Sequence, residues 1–254
     1  MALRLYDFAG MRRLTKFEQS LSNEAVMSLK EELAEYRSGW FRRVPAERQA
    51  IMERHIAQLR DGLTKTSLTV GDRAPTIVLS NARGEMVDVG ALLVRGPVVL
   101  TFYRGGWCPY CNLELRAYQR VLPEITAAGA SLVAISPEKP DDTLSTAEKN
   151  ALTFEVLSDI GHSVGRAFRL VYVFSDELRS AYEGFGLDIP TKNGTPTEWA
   201  LPISATYVID RDGIIIYACT DGDYRDRADP SEILAVLRQA SATRPRAMSD
   251  AAQS

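Results

Sequence analysis

The chain has 254 residues, 45% of them hydrophobic and 25% charged, a composition that excludes collagen-like and largely disordered proteins. It contains 30 lysines and arginines against 33 aspartates and glutamates, and the net charge of −3 gives no global attraction to nucleic acid or to an anionic membrane. The longest apolar stretches, 97–102 and 214–219, are far shorter than the roughly 20 residues of a membrane-spanning helix.

The N-terminal segment MALRLYDFAGMRRL is interrupted by charged residues and a glycine, so it lacks the apolar run of a signal peptide. We therefore expect a cytoplasmic protein, in which cysteines are kept reduced. Two of the three cysteines, Cys108 and Cys111, form a C-x-x-C motif, and the third is Cys219. In this setting the motif indicates a redox or a metal-binding role and not a structural disulfide.

Residues 1–65 are predicted to form a helical arm. Apolar residues recur there every three or four positions, on one face of a helix: Phe17, Leu21, Ala25, Leu29, Leu33, Tyr36 and Trp40. A second apolar stripe from Ile51 to Leu63 follows Pro45 and predicts the other helix of a hairpin. These stripes must be covered by the main domain or by a second subunit, and a homodimer through the N-terminal helices is one expected arrangement.

Residues 66–240 are predicted to form one α/β domain. Strands at 76–79 and 85–89 flank a turn, and an apolar strand at 97–103 leads into the C-x-x-C motif at the start of a helix. Strands at 131–136 and 155–157 then alternate with helices at 141–150 and near 162–168.

The last part of the sequence is richer in turn residues. Glycines and prolines between 184 and 202 predict a long irregular loop. Strands at 205–210 and 214–219 flank an Arg-Asp-Gly turn, and a helix is predicted at 230–239. Residues 241–254 are predicted to be a disordered tail.

The C-x-x-C motif has the features of a reactive thiol site. At a helix N-terminus, unpaired N–H groups and the helix dipole lower the pKa of a cysteine, so Cys108 is predicted to be largely thiolate. Cys111 lies one turn further along, where it can attack an oxidised Cys108 and close a disulfide. Pro109 suits the first helical turn and Trp107 offers an apolar surface over the sulfur. Arg104, the nearest cation in the sequence, is a candidate to lower the pKa further or to bind a polarised oxygen.

A structural zinc site is the competing interpretation of the motif, but it needs about four ligands. The chain offers only Cys219, His55 and His162 to complete the set. Cys219 lies in an apolar strand and His55 on a helical stripe, where packing roles are commoner, and His162 is interpreted as structural or capping. The sequence therefore favours redox chemistry over zinc binding.

Three segments, VVLTFYRGGWCPYCNLELRAYQ, VLSDIGHSVGRAFRL and SATYVIDRDGIIIYA, resemble in this order the peroxiredoxins of the AhpC/TSA group. The opening VGDRAPTIVLSNARGEMVDVGALL is similar to the N-terminal hairpin of that group, and the resemblance covers about residues 68–240. It implies a thioredoxin-like α/β fold with a mixed central sheet flanked by helices. The helical arm of residues 1–65 would be an extension to this fold.

The same resemblance implies the roles of the cysteines, with Cys108 as the peroxidatic and Cys111 as the resolving residue. Cys108 would reduce hydrogen peroxide or an organic hydroperoxide and become a sulfenic acid, which Cys111 would convert to a disulfide. A thioredoxin-type or small-thiol reductant would restore the dithiol. No metal or organic cofactor is required.

The chain departs from the family at three positions. Peroxiredoxins usually have Thr or Ser three residues before the peroxidatic cysteine, Pro seven before it, and Arg six residues before the Asp of the closing hairpin. Gly105, Thr101 and Ser204 stand there instead, and Arg104 or Arg166 is a candidate for the role of the missing arginine. The residues expected to line the substrate pocket are Gly105, Trp107, Pro109, Tyr110 and Ser204.

Two other functions stay open at this point. The WCPYC sequence is closer to thioredoxin-like dithiol-disulfide oxidoreductases, which act on protein disulfides. A non-enzymatic redox sensor, in which oxidation of the motif moves the helical arm or changes a partner surface, is the third hypothesis. Glu198 and Trp199, in the predicted long loop, are candidates for the pocket or for a partner surface, although packing is an equally common role for such a tryptophan.

Overall fold

The structure is a computed structural model that describes residues 27–242. Its strands are β1 Val78–Asn81, β2 Met86–Asp88, β3 Val98–Phe102, β4 Ser131–Ser136, β5 Glu155–Ser158, β6 Val171–Val173, β7 Ala200–Pro202, β8 Ala205–Ile209 and β9 Ile215–Cys219. Seven of them form a central sheet in the order β2-β1-β5-β4-β3-β8-β9, and β6 pairs with β7 in a separate two-stranded sheet. Strands β3, β4 and β5 are parallel and their other neighbours antiparallel, so the predicted mixed sheet is confirmed.

Helices flank this sheet. They are α1 Leu29–Arg43, α2 Ala46–Asp61, α3 Val89–Arg95, α4 Pro109–Arg120, α5 Leu122–Ala127, α6 Pro140–Lys149, α7 Ser163–Ala167, α8 Asp176–Glu183, α9 Ile189–Asn193 and α10 Pro230–Ala242, with a 3-10 turn at Leu63–Lys65. Between residues 27 and 242, no helix combines the length and the apolar run that crossing a bilayer takes.

Strand β3 lies at the centre of the core, and all five of its residues are buried. Its alternate residues face opposite sides of the sheet, because side chains of a strand alternate with a period of two. Leu100 and Phe102 pack in the same core cluster as Phe168, whereas Val99 packs in another with Tyr118. The rigid strand therefore fixes the position at which the chain leaves the sheet, and the C-x-x-C motif follows directly.

The described part of the helical arm packs on the domain of the same chain. Ser28 and Glu31 form a reciprocal capping box that starts α1. Leu33 on α1 and Met52 on α2 are buried in the core cluster that also contains Cys108. The predicted hairpin is thus present from Leu29 to Asp61, and the predicted helical residues 17–26 lie outside the described residues.

The prediction of one long irregular loop at 184–202 is wrong, because this stretch contains α9 and β7. Its prolines and glycines mark the helix ends: Asp188 caps α9, Pro190 lies in its first turn and Gly194 ends it at φ +67°. Strand β7 exists because it pairs with β6, which the sequence pattern did not reveal. Helix α10 continues to Ala242, past the predicted start of the tail, and residues 243–254 lie outside the described part.

Candidate active site

Cys108 is the N-cap residue of α4, and Pro109 occupies the first helical turn. The Cys108 N–H donates to the Gly105 carbonyl at 3.0 Å, which closes the loop between β3 and α4. Asn112 holds this loop from the helix side, because its Nδ2 donates to the Gly106 carbonyl at 2.8 Å and to the Cys108 carbonyl at 2.9 Å. The Cys108 sulfur therefore lies at the positive end of a helix, in a fixed loop.

The charges around Cys108 favour its thiolate. Burial by itself raises the pKa of this thiol, but the hydrogen bond from Cys111, the positive charges of Arg104 and Arg227 and the Cys111 backbone N–H outweigh burial. The pKa of Cys108 falls to about 5 as a result. Arg104 Nη1 lies 3.9 Å from the Cys108 sulfur. At neutral pH Cys108 is thus a thiolate paired with a guanidinium.

Arg104 is a buried cation held by aromatic side chains. Its guanidinium lies over the rings of Tyr224, at 4.2 Å, and Trp107, at 5.1 Å, and it also donates to the Tyr182 hydroxyl. Cation–π contacts replace part of the hydration that burial removes. Of these partners only Trp107 was a predicted site residue. Tyr182 comes from α8 and Tyr224 from the loop after β9, both distant in sequence and without a motif of their own.

Cys111 is protonated and lies next to a second arginine, Arg227. Burial raises the pKa of its thiol well above the ordinary value, and the neighbouring Cys108 thiolate raises it further. Arg227 Nη2 lies 3.5 Å from the Cys111 sulfur, and Arg227 also forms an ion pair with Glu114, with both side chains only 1% exposed. Such a buried pair adds little net stability, because desolvation offsets the attraction. Sequence reasoning missed both Arg227 and Glu114.

Gly105 is required by the backbone and by its neighbours. Its φ is +146°, and a Cβ there would lie 2.2 Å from Trp107 Nε1 and 2.8 Å from Glu138 Oε1. Glu138 accepts from the Gly106 N–H at 2.7 Å, which ties the loop to the end of β4. The Thr or Ser that peroxiredoxins carry at this position therefore has no room in the present loop.

A cavity of about 370 Å³ opens onto Cys108. Its lining residues come from the arm, the motif loop, α8 and the segment after β9: Tyr36, Trp40, Arg43, Val44, Met52, Arg104, Trp107, Cys108, Pro109, Tyr110, Tyr182, Phe185, Leu187 and Tyr224. Three of the five residues predicted to line a pocket, Trp107, Pro109 and Tyr110, are among them. Half of the lining residues are aromatic, and Cys108 is the one cysteine among them.

The other candidate residues lie elsewhere. Gly105 and Ser204 are not among the residues that line the cavity, and the Ser204 hydroxyl is buried without a hydrogen-bond partner among the described residues. Arg166 is on the surface, paired with Glu198, and so does not replace the missing arginine beside Cys108. The Trp199 ring packs against the Phe174 ring, with the ring centroids 5.7 Å apart.

The third cysteine and the two histidines lie on elements other than the motif helix. Cys219 is half-buried in β9. The His55 ring packs against the Tyr172 ring, with the ring centroids 4.7 Å apart. His162 is buried at the start of α7, where its side chain makes no capping hydrogen bond. Within residues 27–242, no group of three or more His, Cys, Asp or Glu side chains is arranged to hold a metal ion.

Comparison with known proteins fits this geometry. Residues 70–218 match the sequence profile of the AhpC/TSA family. A Mycobacterium tuberculosis protein named as a peroxiredoxin is 31% identical over 157 residues, 61% of this chain and 88% of the relative. Peroxiredoxin Bcp of Escherichia coli is 33% identical over 102 residues, 40% of this chain and 64% of the relative.

The solved structures agree at the level of the fold. The crystal structure of peroxidoxin BcpB from Mycobacterium tuberculosis has a TM-score of 0.54 and 23% identity, covering 70% of this chain and 99% of the other. A peroxiredoxin-like protein from Aquifex aeolicus has a TM-score of 0.54 at 16% identity and covers 68% and 88% of the two chains. Since the family profile matches more than half of the sequence, this chain belongs to the AhpC/TSA family and has the thioredoxin-like fold of the peroxiredoxins.

Proposed function

We propose that this protein is a thiol peroxidase that reduces hydrogen peroxide or organic hydroperoxides through Cys108. The observation that carries the proposal is the state of this one sulfur, a thiolate 3.9 Å from Arg104 that lines a cavity large enough for substrate. A thiolate is the form of cysteine that attacks peroxides. Membership of the AhpC/TSA family supports the same activity.

The first step is attack of the Cys108 thiolate on the terminal oxygen of the hydroperoxide. The S–O bond forms as the O–O bond breaks, so Cys108 becomes a sulfenic acid and the other oxygen leaves as water or an alcohol after taking up a proton. Arg104 lies beside the reacting sulfur and is fully positive at neutral pH, so it stabilises the negative charge that develops on the leaving oxygen.

The second step joins the two cysteines. Cys111 loses its proton and attacks the Cys108 sulfur, hydroxide leaves and is protonated to water, and a Cys108–Cys111 disulfide forms. The guanidinium of Arg227, 3.5 Å from the Cys111 sulfur, stabilises the thiolate that this step requires. A thioredoxin-type or small-thiol reductant then supplies the two electrons that restore the dithiol.

The dithiol-disulfide oxidoreductase hypothesis has less support. Cys108 is only 2% exposed and Cys111 is fully buried, and α1 and α2 cover the cavity that leads to Cys108. Exchange with a protein disulfide needs the attacking sulfur to reach a sulfur on another folded chain. The covered position of Cys108 therefore favours small substrates.

Stopped-flow tryptophan fluorescence tests the proposal, because Trp107 is next to the reacting cysteine. Reduced protein mixed with hydrogen peroxide is expected to show a fast phase followed by a slower disulfide phase. Cys108→Ser is expected to lose both phases, and Cys111→Ser only the second, while Cys219→Ser serves as the matched control. A slow peroxide reaction in a protein that still exchanges rapidly with a protein disulfide would overturn the proposal in favour of the oxidoreductase.

A further inference from the structure

The outer wall of the cavity over Cys108 comes from the helical hairpin α1–α2, which lies outside the matched residues 70–218. Three of the wall residues, Tyr36, Trp40 and Arg43, are at positions i, i+4 and i+7 of α1 and therefore share one face of that helix. The same face continues towards the N-terminus of α1 as Leu33, which is buried in the core. One end of the stripe thus packs on the domain and the other end faces the cavity.

The cavity is larger and more aromatic than hydrogen peroxide needs. A volume of about 370 Å³ is within the range of sites for small organic molecules. Tyr36 and Trp40 are only half-buried, although they pack against the core cluster around Cys108. Tyr36 packs edge-on against Tyr110, with ring centroids 5.0 Å apart, and Trp40 and Trp107 line the same cavity. This aromatic lining suits an apolar group of aromatic size.

The charged side chains that line the cavity, apart from the Cys108 thiolate, are all positive. The cavity contains two arginines, Arg43 and Arg104, and no aspartate or glutamate. The charge of Arg104 is balanced by the Cys108 thiolate. Arg43 makes no ion pair within residues 27–242, and its guanidinium lies 5.6 Å over the Tyr36 ring. Arg43 is exposed, so its charge is open to pair with a carboxylate on the substrate.

We propose that the hairpin forms a substrate subsite for organic hydroperoxides that combine an apolar body of about aromatic size with a carboxylate. Tyr36 and Trp40 contact the body and Arg43 the carboxylate, while the hydroperoxide reaches Cys108. This inference rests on the proposed peroxidase function and names its substrate class. The reaction stays balanced, because the hydroperoxide is the oxidant, Cys108 becomes a sulfenic acid and the product is the corresponding alcohol.

Three probes separate these contributions: hydrogen peroxide, cumene hydroperoxide, and cumene hydroperoxide with a para-carboxylate. The rate constant for oxidation of Cys108 is measured by rapid quench, alkylation and mass spectrometry of the peptide that contains it, so that tryptophan substitutions do not affect the readout. We expect cumene hydroperoxide to react about tenfold faster than hydrogen peroxide, the size of a single apolar-contact preference. The carboxylated probe should gain about another threefold, typical of an exposed ion pair.

Two variants in α1 and two matched controls assign the effects to the subsite. Trp40→Leu should lower the ratio of organic to hydrogen peroxide rate constants, and Arg43→Gln should remove the difference between the two organic probes. Val94→Ala and Arg42→Gln change exposed residues outside the cavity and should leave both ratios unchanged.

Equal rate constants for all three probes, or a Trp40→Leu variant that slows every probe by one factor, would overturn the subsite while leaving the peroxidase intact. A carboxylated probe no faster than the neutral one would overturn the role of Arg43. Failure of every peroxide to oxidise Cys108 would instead overturn the proposed function itself.

Discussion

Replacing Arg104 by methionine removes the guanidinium that lies 3.9 Å from the Cys108 sulfur. Opposite unit charges at this separation attract by about 4 kcal/mol at an effective dielectric constant of about 20, a factor of about 1000 in the acid–base equilibrium of the thiol. The pKa of Cys108 is about 5, so this loss moves it to the alkaline side of neutrality. About one tenth of the thiol then remains ionised at pH 7, and oxidation of Cys108 slows about tenfold from this cause alone.

Two measurements check this prediction. The ultraviolet absorbance of the thiolate gives the pKa of Cys108 when it is titrated in a Cys219→Ser background, which keeps the hydrogen bond from Cys111. The rate constant with hydrogen peroxide is followed over the same pH range. Arg166→Met, which removes a surface arginine paired with Glu198, is the control and should change neither quantity. An Arg104→Met protein that keeps its fold by circular dichroism and titrates like the parent would refute the assigned role of Arg104.

Three further predictions follow from the same contacts. Gly105→Thr should lower the free energy of unfolding by about 2 kcal/mol or more in urea denaturation, because the new side chain clashes with Trp107. Gly71→Ala, whose Cβ meets nothing within 4 Å, should lower it less, and an equal loss in the two variants would contradict the clash. Removing the buried pair with Arg227→Met and Glu114→Gln together should slow the disulfide phase on the order of tenfold. The first phase should slow much less, because Arg104 still favours the Cys108 thiolate, and equal slowing of both phases would contradict a specific role of Arg227 at Cys111. Because the pKa of Cys108 is lowered from 9.0 to about 5, its thiolate stabilises the fold above pH 9, and this contribution declines as the pH falls towards 5. The free energy of unfolding of Cys108→Ala should lack this decline, so parallel plots of unfolding free energy against pH for the two proteins would exclude the shift.

The position of Cys108 could be predicted because the features that fix it are local. An apolar strand, a short glycine loop and Pro109 in the first helical turn are all readable within about a dozen residues, and together they place the sulfur at a helix N-terminus. The nearest cation in sequence, Arg104, is also the one beside the sulfur. The resemblance to the AhpC/TSA group extended this local interpretation to the whole domain.

The walls of the site could not be predicted, since tertiary packing brings them from distant parts of the chain. Arg104 and Tyr182 are 78 positions apart, and Cys111 and Arg227 are 116 apart. In the sequence, Arg227 belongs to the run DGDYRDRADP, which is typical of a polar surface loop. Its side chain is nevertheless buried, because Glu114 and the Tyr224 carbonyl supply its partners.

The loop prediction for residues 184–202 was wrong for a different physical reason. Proline and glycine are frequent in loops, but they are also favoured at the first turn and just after the end of a helix. Pro190 and Gly194 take these positions in α9. Without the pairing of β7 with β6, which depends on contacts across the fold, the composition alone could not distinguish the two arrangements.

The most direct test of the central claim is to identify the oxidised atom. Cys111→Ser protein, which cannot form the Cys108–Cys111 disulfide, is treated with one equivalent of hydrogen peroxide in the presence of dimedone and analysed by mass spectrometry. A single dimedone adduct on Cys108 is predicted, because dimedone traps sulfenic acids and Cys108 is the thiolate of the site. Adduct formation on Cys219 with Cys108 left reduced would contradict the assignment of Cys108 as the peroxide-reducing residue.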